Sequence, residues 1–358
     1  MKKVVFIGDV GIGGSHPVSI QSMTNVPVEK VQQTLRQIAA LRDEGCQIVR
    51  VAVPSRSALP FFSRIVRSSV LPVVGDIHFD PYLALKAMEC GAGGIRINPG
   101  NIGSLSGLRE ILRMAARQKV PIRIGVNSGS IEKKYLRISG LSRAERMVRS
   151  VMDKVRFFED NGFFHMKISL KSSSVRETVE AYRLIDRACD YPLHLGITEA
   201  GTLRSGTVKS SVGIGALLLD GIGNTVRVSL TADPVEEVRV AREILKALDL
   251  VAGTVDIISC PTCSRTTVDL IARVNDFEAR IRSLRPRRTI RVAIMGCEVN
   301  GPGEARDADV GVAFSRKVGY IFSGGKMIEK LPAPESLNRL YELVLECAGQ
   351  GAKEGGDS

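Results

Sequence analysis

Tryptophan is absent from this chain, tyrosine occurs only 6 times, and no basic run is longer than the stretch from Arg285 to Arg291. A surface for nucleic acid interleaves cations with stacking aromatics, so no nucleic-acid partner is expected despite a net charge of +12. The excess charge fits anionic small substrates or an acidic protein equally well. No apolar stretch approaches the length that crosses a bilayer, and the run Met1-Lys2-Lys3-Val4-Val5-Phe6-Ile7 is stopped by Gly8 and Asp9 with no small-residue cleavage site after it. A cytoplasmic protein with no membrane partner is the expectation.

Cysteine is scarce too, 7 in 358 residues, and an odd number in so long a chain does not make a disulfide framework. Cys46, Cys90, Cys189 and Cys347 sit in apolar or helical contexts and read as small hydrophobes. The other three are patterned. Hydrophobic content of 44% with 25% charged residues suits one large core and a smaller one, hence two domains.

From Val18 to about Leu250 one pattern repeats: a short β-branched run, a turn, an amphipathic helix. The runs are 18–23, 47–53, 72–79, 94–98, 121–127, 165–170, 192–198 and 225–230. Eight such units predict a closed (β/α)8 barrel, a TIM barrel spanning 1–250, with a doubly wound open sheet as the competing fold. Helix starts agree, with Asp80-Pro81 and Asp233-Pro234-Val235-Glu236 supplying caps and first-turn prolines. Gly8 to Gly14 reads as a hairpin rather than a nucleotide loop.

Beyond residue 254 the pattern changes to a strand, a helix over 266–284, a basic loop, strands at 290–295, 308–314, 318–323 and 326–330, and a helix from Pro334 to Cys347. An α+β domain over 255–348 with a mainly antiparallel sheet is predicted. The glycine-rich, charged tail 349–358 is expected to be disordered.

Buried parallel strands usually read as continuous apolar runs. Here Val49-Arg50-Val51, Ile95-Arg96-Ile97-Asn98, Ile122-Arg123-Ile124-Gly125-Val126-Asn127, Met166-Lys167-Ile168-Ser169-Leu170-Lys171 and Val226-Arg227-Val228-Ser229-Leu230 alternate, which points the polar members into the barrel. Two like charges some 8 Å apart repel by about 2 kcal/mol at an effective dielectric near 20. The expected internal acids, Asp76 and Glu199, are too few to neutralise Arg50, Arg96, Arg123, Lys167 and Arg227, so an anionic ligand such as a diphosphate is the natural partner. His78 and His194, read as corresponding inward positions, are candidates for hydroxyl binding or proton transfer, and Asn98, Asn127, Ser22, Asn25, Ser169 and Ser229 for neutral hydrogen bonds.

Past the barrel stand Cys260 and Cys263 in Ser-Cys-Pro-Thr-Cys-Ser, then Cys297 and Glu304 in Gly-Cys-Glu-Val-Asn-Gly-Pro-Gly-Glu. Three soft thiolates and one hard carboxylate suit an iron–sulfur cluster with one replaceable ligand, while spacing alone leaves zinc, or no metal, open.

With Ile20-Gln21-Ser22-Met23-Thr24-Asn25, Asp76-Ile77-His78-Phe79, Arg96-Ile97-Asn98-Pro99-Gly100-Asn101, Gly125-Val126-Asn127-Ser128-Gly129, Lys167-Ile168-Ser169-Leu170-Lys171, His194-Leu195-Gly196-Ile197-Thr198-Glu199-Ala200-Gly201 and Arg227-Val228-Ser229-Leu230-Thr231, the chain resembles the bacterial 4-hydroxy-3-methylbut-2-enyl diphosphate synthase family of the non-mevalonate isoprenoid pathway. The resemblance covers nearly the whole chain, and the motif holding Glu304 is its most specific part. It departs at Val26-Pro27-Val28-Glu29, in place of a Thr/Asp-rich stretch, and at Gly75, where alanine is common.

The resemblance implies a 4Fe-4S cluster held by Cys260, Cys263, Cys297 and Glu304, and reductive opening of 2-C-methyl-D-erythritol 2,4-cyclodiphosphate with electrons from flavodoxin or ferredoxin. Arg50, Asp76, His78, Arg96, Asn98, Arg123, Asn127, Lys167, Ser169, Arg227 and Ser229 are the expected substrate-binding residues, with Glu199, Glu304 and His194 catalytic. The rival readings are a pterin-binding or aldolase-type barrel with a structural zinc and a basic nucleic-acid-binding protein.

One geometric expectation follows. The eighth helix, roughly 17 residues, carries the chain about 25 Å away from the strands' carboxyl ends. The link Val251 to Thr254 spans at most about 14 Å. A cluster domain reaches its own barrel mouth with difficulty, so a two-fold homodimer in which each covers the partner's barrel is expected, and the resemblance implies the same.

Overall fold

In the computed structural model a hairpin comes first, β1 (Val5–Ile7) against β2 (Val10–Ile12). Gly8 turns it at φ +60°, where a Cβ would stand 2.8 Å from Pro72. Val5, Ile7 and Ile12 are buried with Ile48 and Val74, so the hairpin packs against two barrel strands. The structure describes residues 1–99, 101, 102, 104–298 and 307–349, in two units, Met1–Leu250 and Val251–Ser358. Of the tail expected to be disordered, 350–358 lie outside the described residues.

The first unit alternates strand and helix: β3 (Ser19–Met23), α1 (Val31–Asp43), β4 (Ile48–Ala52), α2 (Leu59–Ser68), β5 (Val73–Asp76), α3 (Pro81–Glu89), β6 (Gly94–Ile97), α4 (Leu105–Gln118) and β7 (Ile122–Asn127). After a short α5 (Lys133–Leu136) come α6 (Arg143–Asp160), β8 (Met166–Lys171), α7 (Val175–Ala188), β9 (His194–Leu195), α8 (Leu203–Leu219), β10 (Thr225–Val226) and α9 (Pro234–Lys246). All pairings are parallel in the order β8-β7-β6-β5-β4-β3-β10-β9, and a bridge from Ile168 to Leu193 joins the two ends into a ring. Chain order is kept around the ring, without the reversal a doubly wound sheet requires. The fold is a (β/α)8 barrel.

Local chemistry fixes the helix starts. Asp80 accepts from Tyr82 N at 2.9 Å ahead of Pro81, Asp233 accepts from Val235 N at 2.9 Å around Pro234, and Ser142 with Glu145 closes a capping box. β9 and β10 are shorter than their apolar runs predict, because the chain turns irregular where Gly196 meets Arg227: a Cβ at Gly196 would lie 2.4 Å from the Arg227 carbonyl oxygen.

The second unit is a five-stranded sheet, β11 (Val255–Ser259), β12 (Ile290–Met295), β13 (Val310–Phe314), β14 (Val318–Ser323) and β15 (Lys326–Pro332), with α10 (Leu270–Ile281) and α11 (Ala333–Cys347). A mainly antiparallel sheet was the expectation, and the sheet is mixed: β11, β12 and β13 run parallel, and only β13–β14 and β14–β15 are antiparallel. The cause is α10, which carries the chain back between β11 and β12 as a crossover. Phe277, Phe314, Leu337 and Leu340 fill the core between helices and sheet. Among the described residues no helix is long and apolar enough to cross a membrane.

Candidate functional site

Parallel register aligns side chains across neighbouring strands. Asp76 pairs with Arg96, Arg96 with Arg123, and Arg123 with Lys167, so one acid and three cations form a row over β5, β6, β7 and β8. Because side chains alternate with period two, the next row on β7 and β8 holds Gly125 and Ser169, and the one after it Asn127 and Lys171. Gly125 has a packing reason to be glycine: a Cβ there would stand 3.3 Å from Arg96 Nε and 3.2 Å from Ser169 Oγ.

Asp76 anchors the row. Its carboxylate lies 3.4 Å from Arg96 Nη1, 3.9 Å from Arg50 Nε and 3.3 Å from His78 Nε2. Burial opposes its ionisation, but Arg50, then the hydrogen bond with His78, then Arg96 outweigh burial and hold the carboxyl well below the usual range. Burial, partly offset by Asp76, brings Arg50 down to about 10, and its guanidinium also donates to Met23 Sδ at 2.8 Å.

Among the described residues Arg123 and Lys167 have no such carboxylate partner. Arg123 is 3% exposed, its Nε and Nη1 have no hydrogen-bond partner among the described residues, and burial with repulsion from Arg50 and Arg96 pushes its pKa far down. Lys167 is depressed by burial, then by Arg123, and has a long 3.4 Å hydrogen bond to Gln21 Oε1. Arg96 Nε and Arg227 Nε are likewise buried without a partner among the described residues. Several desolvated N–H donors around one volume make a site built for an oxyanion.

Two residues that sequence reasoning did not select belong here. Lys171 is buried, with its pKa lowered by burial and then by Arg123, Arg227, Arg50 and Arg96. It follows Lys167 by two alternations on the same strand, a signal that was available. Glu237 comes from α9: at 5% exposure it accepts from Arg227 Nη2 at 3.4 Å, Ser22 Oγ at 3.4 Å and Leu230 N at 2.9 Å. No strand pattern announces an acid delivered by a helix.

Two expectations need correction. His78 and His194 do not occupy equivalent positions: the His78 side chain is 51% exposed two residues beyond the end of β5, whereas His194 is fully buried with neither ring nitrogen hydrogen-bonded among the described residues. Burial, then Arg123, Lys171, Lys167 and Arg50, hold the His194 pKa well below 6.5 and keep the ring neutral. Glu199 is not an internal acid. It is exposed just beyond β9, in a left-handed conformation at φ +52°, because the chain leaves the barrel there through Gly196 to Gly201.

Asn98 and Ser169 are buried beside the cations, and Asn127 and Ser229 are half-buried. Ser22 is buried at the Glu237 carboxylate, while Asn25 is exposed and accepts from Gln37 Nε2 at 2.7 Å.

In the second unit Cys260 immediately follows β11 and Cys297 lies two residues beyond β12, at neighbouring ends of parallel strands. Gly296 N donates to Cys260 Sγ at 3.3 Å. A backbone hydrogen bond from Arg265, with help from its side chain, lowers the thiol pKa of exposed Cys263. Amide donors to sulfur and an acidified thiol suit soft-metal ligation. Cys260 and Cys297 share one edge, but among the described residues no three His, Cys, Asp or Glu side chains stand close enough to hold a metal ion. Glu304 lies outside the described residues.

The sequence profile of the GcpE TIM-barrel domain matches residues 2–242, and that of the GcpE protein C-terminal domain matches 256–346. The 4-hydroxy-3-methylbut-2-en-1-yl diphosphate synthase (flavodoxin) of Anoxybacillus flavithermus is 50% identical over 351 residues, covering 98% of this chain and 96% of that protein. The Geobacter sulfurreducens protein of the same name is 51% identical over 338 residues, 94% of this chain and 95% of that protein. A dihydropteroate synthase of Coxiella burnetii, solved with pteroic acid, superposes with a TM-score of 0.50 over 70% of this chain and 98% of its own, at 12% identity. That likeness shows the barrel fold alone.

Proposed function

This chain belongs to the GcpE family, whose members are 4-hydroxy-3-methylbut-2-en-1-yl diphosphate synthases, and we propose on that premise that it opens and dehydroxylates 2-C-methyl-D-erythritol 2,4-cyclodiphosphate to (E)-4-hydroxy-3-methylbut-2-enyl diphosphate. Two electrons and two protons enter, and one water leaves. The observation that carries the reading is the row of Arg96, Arg123 and Lys167, in register beside one acid, Asp76, with Arg123 and Lys167 buried. A cyclic diphosphate supplies the missing charge at that point.

Arg50, Arg96, Arg123, Lys167, Lys171 and Arg227 hold the two phosphates, and Asp76 keeps Arg50 and Arg96 aimed by binding one on each carboxylate oxygen. Asn98, Asn127, Ser169 and Ser229 orient the sugar-derived hydroxyls. A neutral His194 offers one N–H and one acceptor nitrogen; when diphosphate charge enters, its pKa rises and the ring takes up a proton that it returns as water departs. The Glu199 carboxylate is the second proton-handling group.

Cys260, Cys263, Cys297 and Glu304 would hold a 4Fe-4S cluster, three soft sulfurs and one exchangeable oxygen ligand. Such a cluster supplies single electrons, and an iron whose oxygen ligand is replaceable, to the bound substrate. The names of the relatives include flavodoxin, so reduced flavodoxin is the proposed donor, with ferredoxin the alternative. Two copies form a homodimer, each cysteine-bearing unit serving the other barrel, which the short link 251–254 favours.

The test is anaerobic incubation with the cyclic diphosphate and reduced flavodoxin, with the product identified by mass spectrometry. Arg123→Ala should chiefly raise KM, and Cys297→Ser should abolish turnover. Mixed dimers of the two should recover part of the activity, and none in verified heterodimers would contradict the shared site.

A further inference from the structure

Two groups of exposed cations stand at opposite ends of the second unit's sheet. Because β11, β12 and β13 run parallel, the residues that follow them share one edge: Cys260 after β11, Cys297 after β12, and Arg316 and Lys317 in the turn between β13 and β14. The basic loop 285–289 leads into β12 and so lies at the other end, about 17 Å away along five residue steps of roughly 3.3 Å. There Arg288 pairs with Asp309 at 2.8 Å, and Arg285 donates to the carbonyls of Arg282 and Leu284 at 2.7 and 2.9 Å.

Arg316 lines an open groove of about 500 Å³ with Thr267, Val268, Ala272 and Leu337. The acids lining it have partners: Asp269 caps α10 by accepting from Ala272 N at 3.0 Å, and Asp276 lies 3.9 Å from Arg280. Arg273 is engaged as well, donating to the Ala333 carbonyl at 2.8 Å. Arg316 and Lys317 are exposed, and among the described residues neither has an ion-pair partner. The groove wall meets the cysteine site through the backbone, since Thr267 N donates to Gly296 O at 3.1 Å and Gly296 is bonded to Cys297. A Cβ at Gly296 would stand 2.8 Å from Thr266 Cγ2, so this close approach requires the glycine.

Solvated cations of this kind do not grip a small anion as the buried row in the barrel does. Their use is steering, because unmatched like charges at one edge raise the rate of encounter with a protein of opposite charge. Ile271, 61% exposed in the first turn of α10, adds an apolar contact at the same end. A carrier that delivers single electrons must dock and leave twice per substrate, which suits a small, weak interface of under about 1,200 Å². Electron tunnelling falls steeply with distance, so the carrier must meet the edge that holds the cysteines and not the far end of β12.

We propose that this edge of the second unit, the groove of Thr267, Ala272 and Arg316 together with Lys317 and Ile271, is where an acidic one-electron carrier docks, flavodoxin in the reading above. The inference rests on that reading and assigns the carrier a surface. Each docking oxidises one carrier by one electron and passes that electron to the site on the cysteines, so two carriers serve one turnover.

Calorimetric titration of the anaerobically prepared holoprotein with oxidised flavodoxin tests it without turnover. Wild type should bind, and Arg316→Glu/Lys317→Glu should weaken Kd roughly tenfold or more at low salt, a difference that shrinks at about 0.5 M salt as the charges are screened. Arg282→Glu/Arg287→Glu, the same charge change on exposed residues at the other end, should bind as wild type. Turnover driven by dithionite and methyl viologen should be unchanged in both variants, while KM for reduced flavodoxin rises only in Arg316→Glu/Lys317→Glu. An unaltered Kd in that variant would overturn the docking face, and so would equal weakening by Arg282→Glu/Arg287→Glu, which would mean that net charge alone acts. If wild type binds flavodoxin but leaves the cyclic diphosphate unconverted even with dithionite, the reaction falls while the Kd comparison still decides the face. Should the variant misfold, hydrogen exchange of wild type decides: peptides covering 264–273 and 314–319 must gain protection on adding flavodoxin, and unchanged protection refutes the contact.

Discussion

Glu237 reaches Arg227 from outside the strand wall, its carboxylate on α9 accepting from the guanidinium at 3.4 Å and from Leu230 N at 2.9 Å. The helix thereby sets the aim of a cation at the barrel's carboxyl end. Glu237→Gln keeps the shape and loses the charge, and a hydrogen bond to a charged group contributes about 1.5–3 kcal/mol. Steady-state kinetics should show KM for the cyclic diphosphate raised roughly tenfold or more with kcat changed far less. An equal fall in kcat with KM unchanged would contradict a positioning role.

Lys167 and Arg123 face each other across β7 and β8, and Arg123, after burial, depresses the charge of Lys167. Removing one of them relieves repulsion in the ligand-free barrel and weakens the hold on phosphate. Lys167→Met should raise Tm in thermal scans by several degrees, at about 2–4 °C per kcal/mol for a unit of this size. Inorganic diphosphate should raise Tm of wild type and scarcely move the variant. Two effects of opposite sign separate this account from a purely structural lysine.

His194 gives the pH dependence its sign. The folded pKa is depressed below 6.5, so the unfolded chain binds a proton the barrel refuses. Stability from this residue is complete above about pH 6.5 and is lost as pH falls from there toward the folded value. Urea titrations between pH 7.5 and 5 should lose stability more steeply in wild type than in His194→Gln, and saturating diphosphate should flatten the wild-type slope. Equal slopes for both proteins would remove the argument.

Much of this was legible in the residues and some was not. Eight alternating units forecast the barrel because crossover geometry leaves few alternatives, and period-two alternation put Arg96, Arg123 and Lys167 on one face because strands have no other period. Lys171 obeyed the same rule and was passed over. Glu237 was hidden, since helix periodicity says which face is buried but not which strand end it meets. Glu199 looked internal from its apolar neighbours, yet the backbone reverses at φ +52° and turns it outward. The mixed sheet of the second unit escaped because a lone helix between two strands does not announce whether they pair.

The Glu199 backbone makes its own forecast. A non-glycine residue at positive φ costs about 1 kcal/mol, so Glu199→Gly should stabilise the fold by that order while lowering kcat. Glu199→Gln should lower kcat with no gain in stability. Chemical denaturation and initial rates on the same preparations check both, and a Glu199→Gly protein of full activity would exclude the carboxylate from proton handling.

The proposed reaction needs both an anion-seeking barrel and a redox site held by Cys260, Cys263 and Cys297. The most direct measurement is single-preparation turnover of 2-C-methyl-D-erythritol 2,4-cyclodiphosphate with reduced flavodoxin, before and after anaerobic removal of iron with a chelator. Conversion by the iron-loaded protein, none after stripping, and recovery on reconstitution with iron and sulfide is the predicted result. Undiminished conversion by the stripped protein, or a colourless anaerobic preparation with stoichiometric zinc, would contradict it.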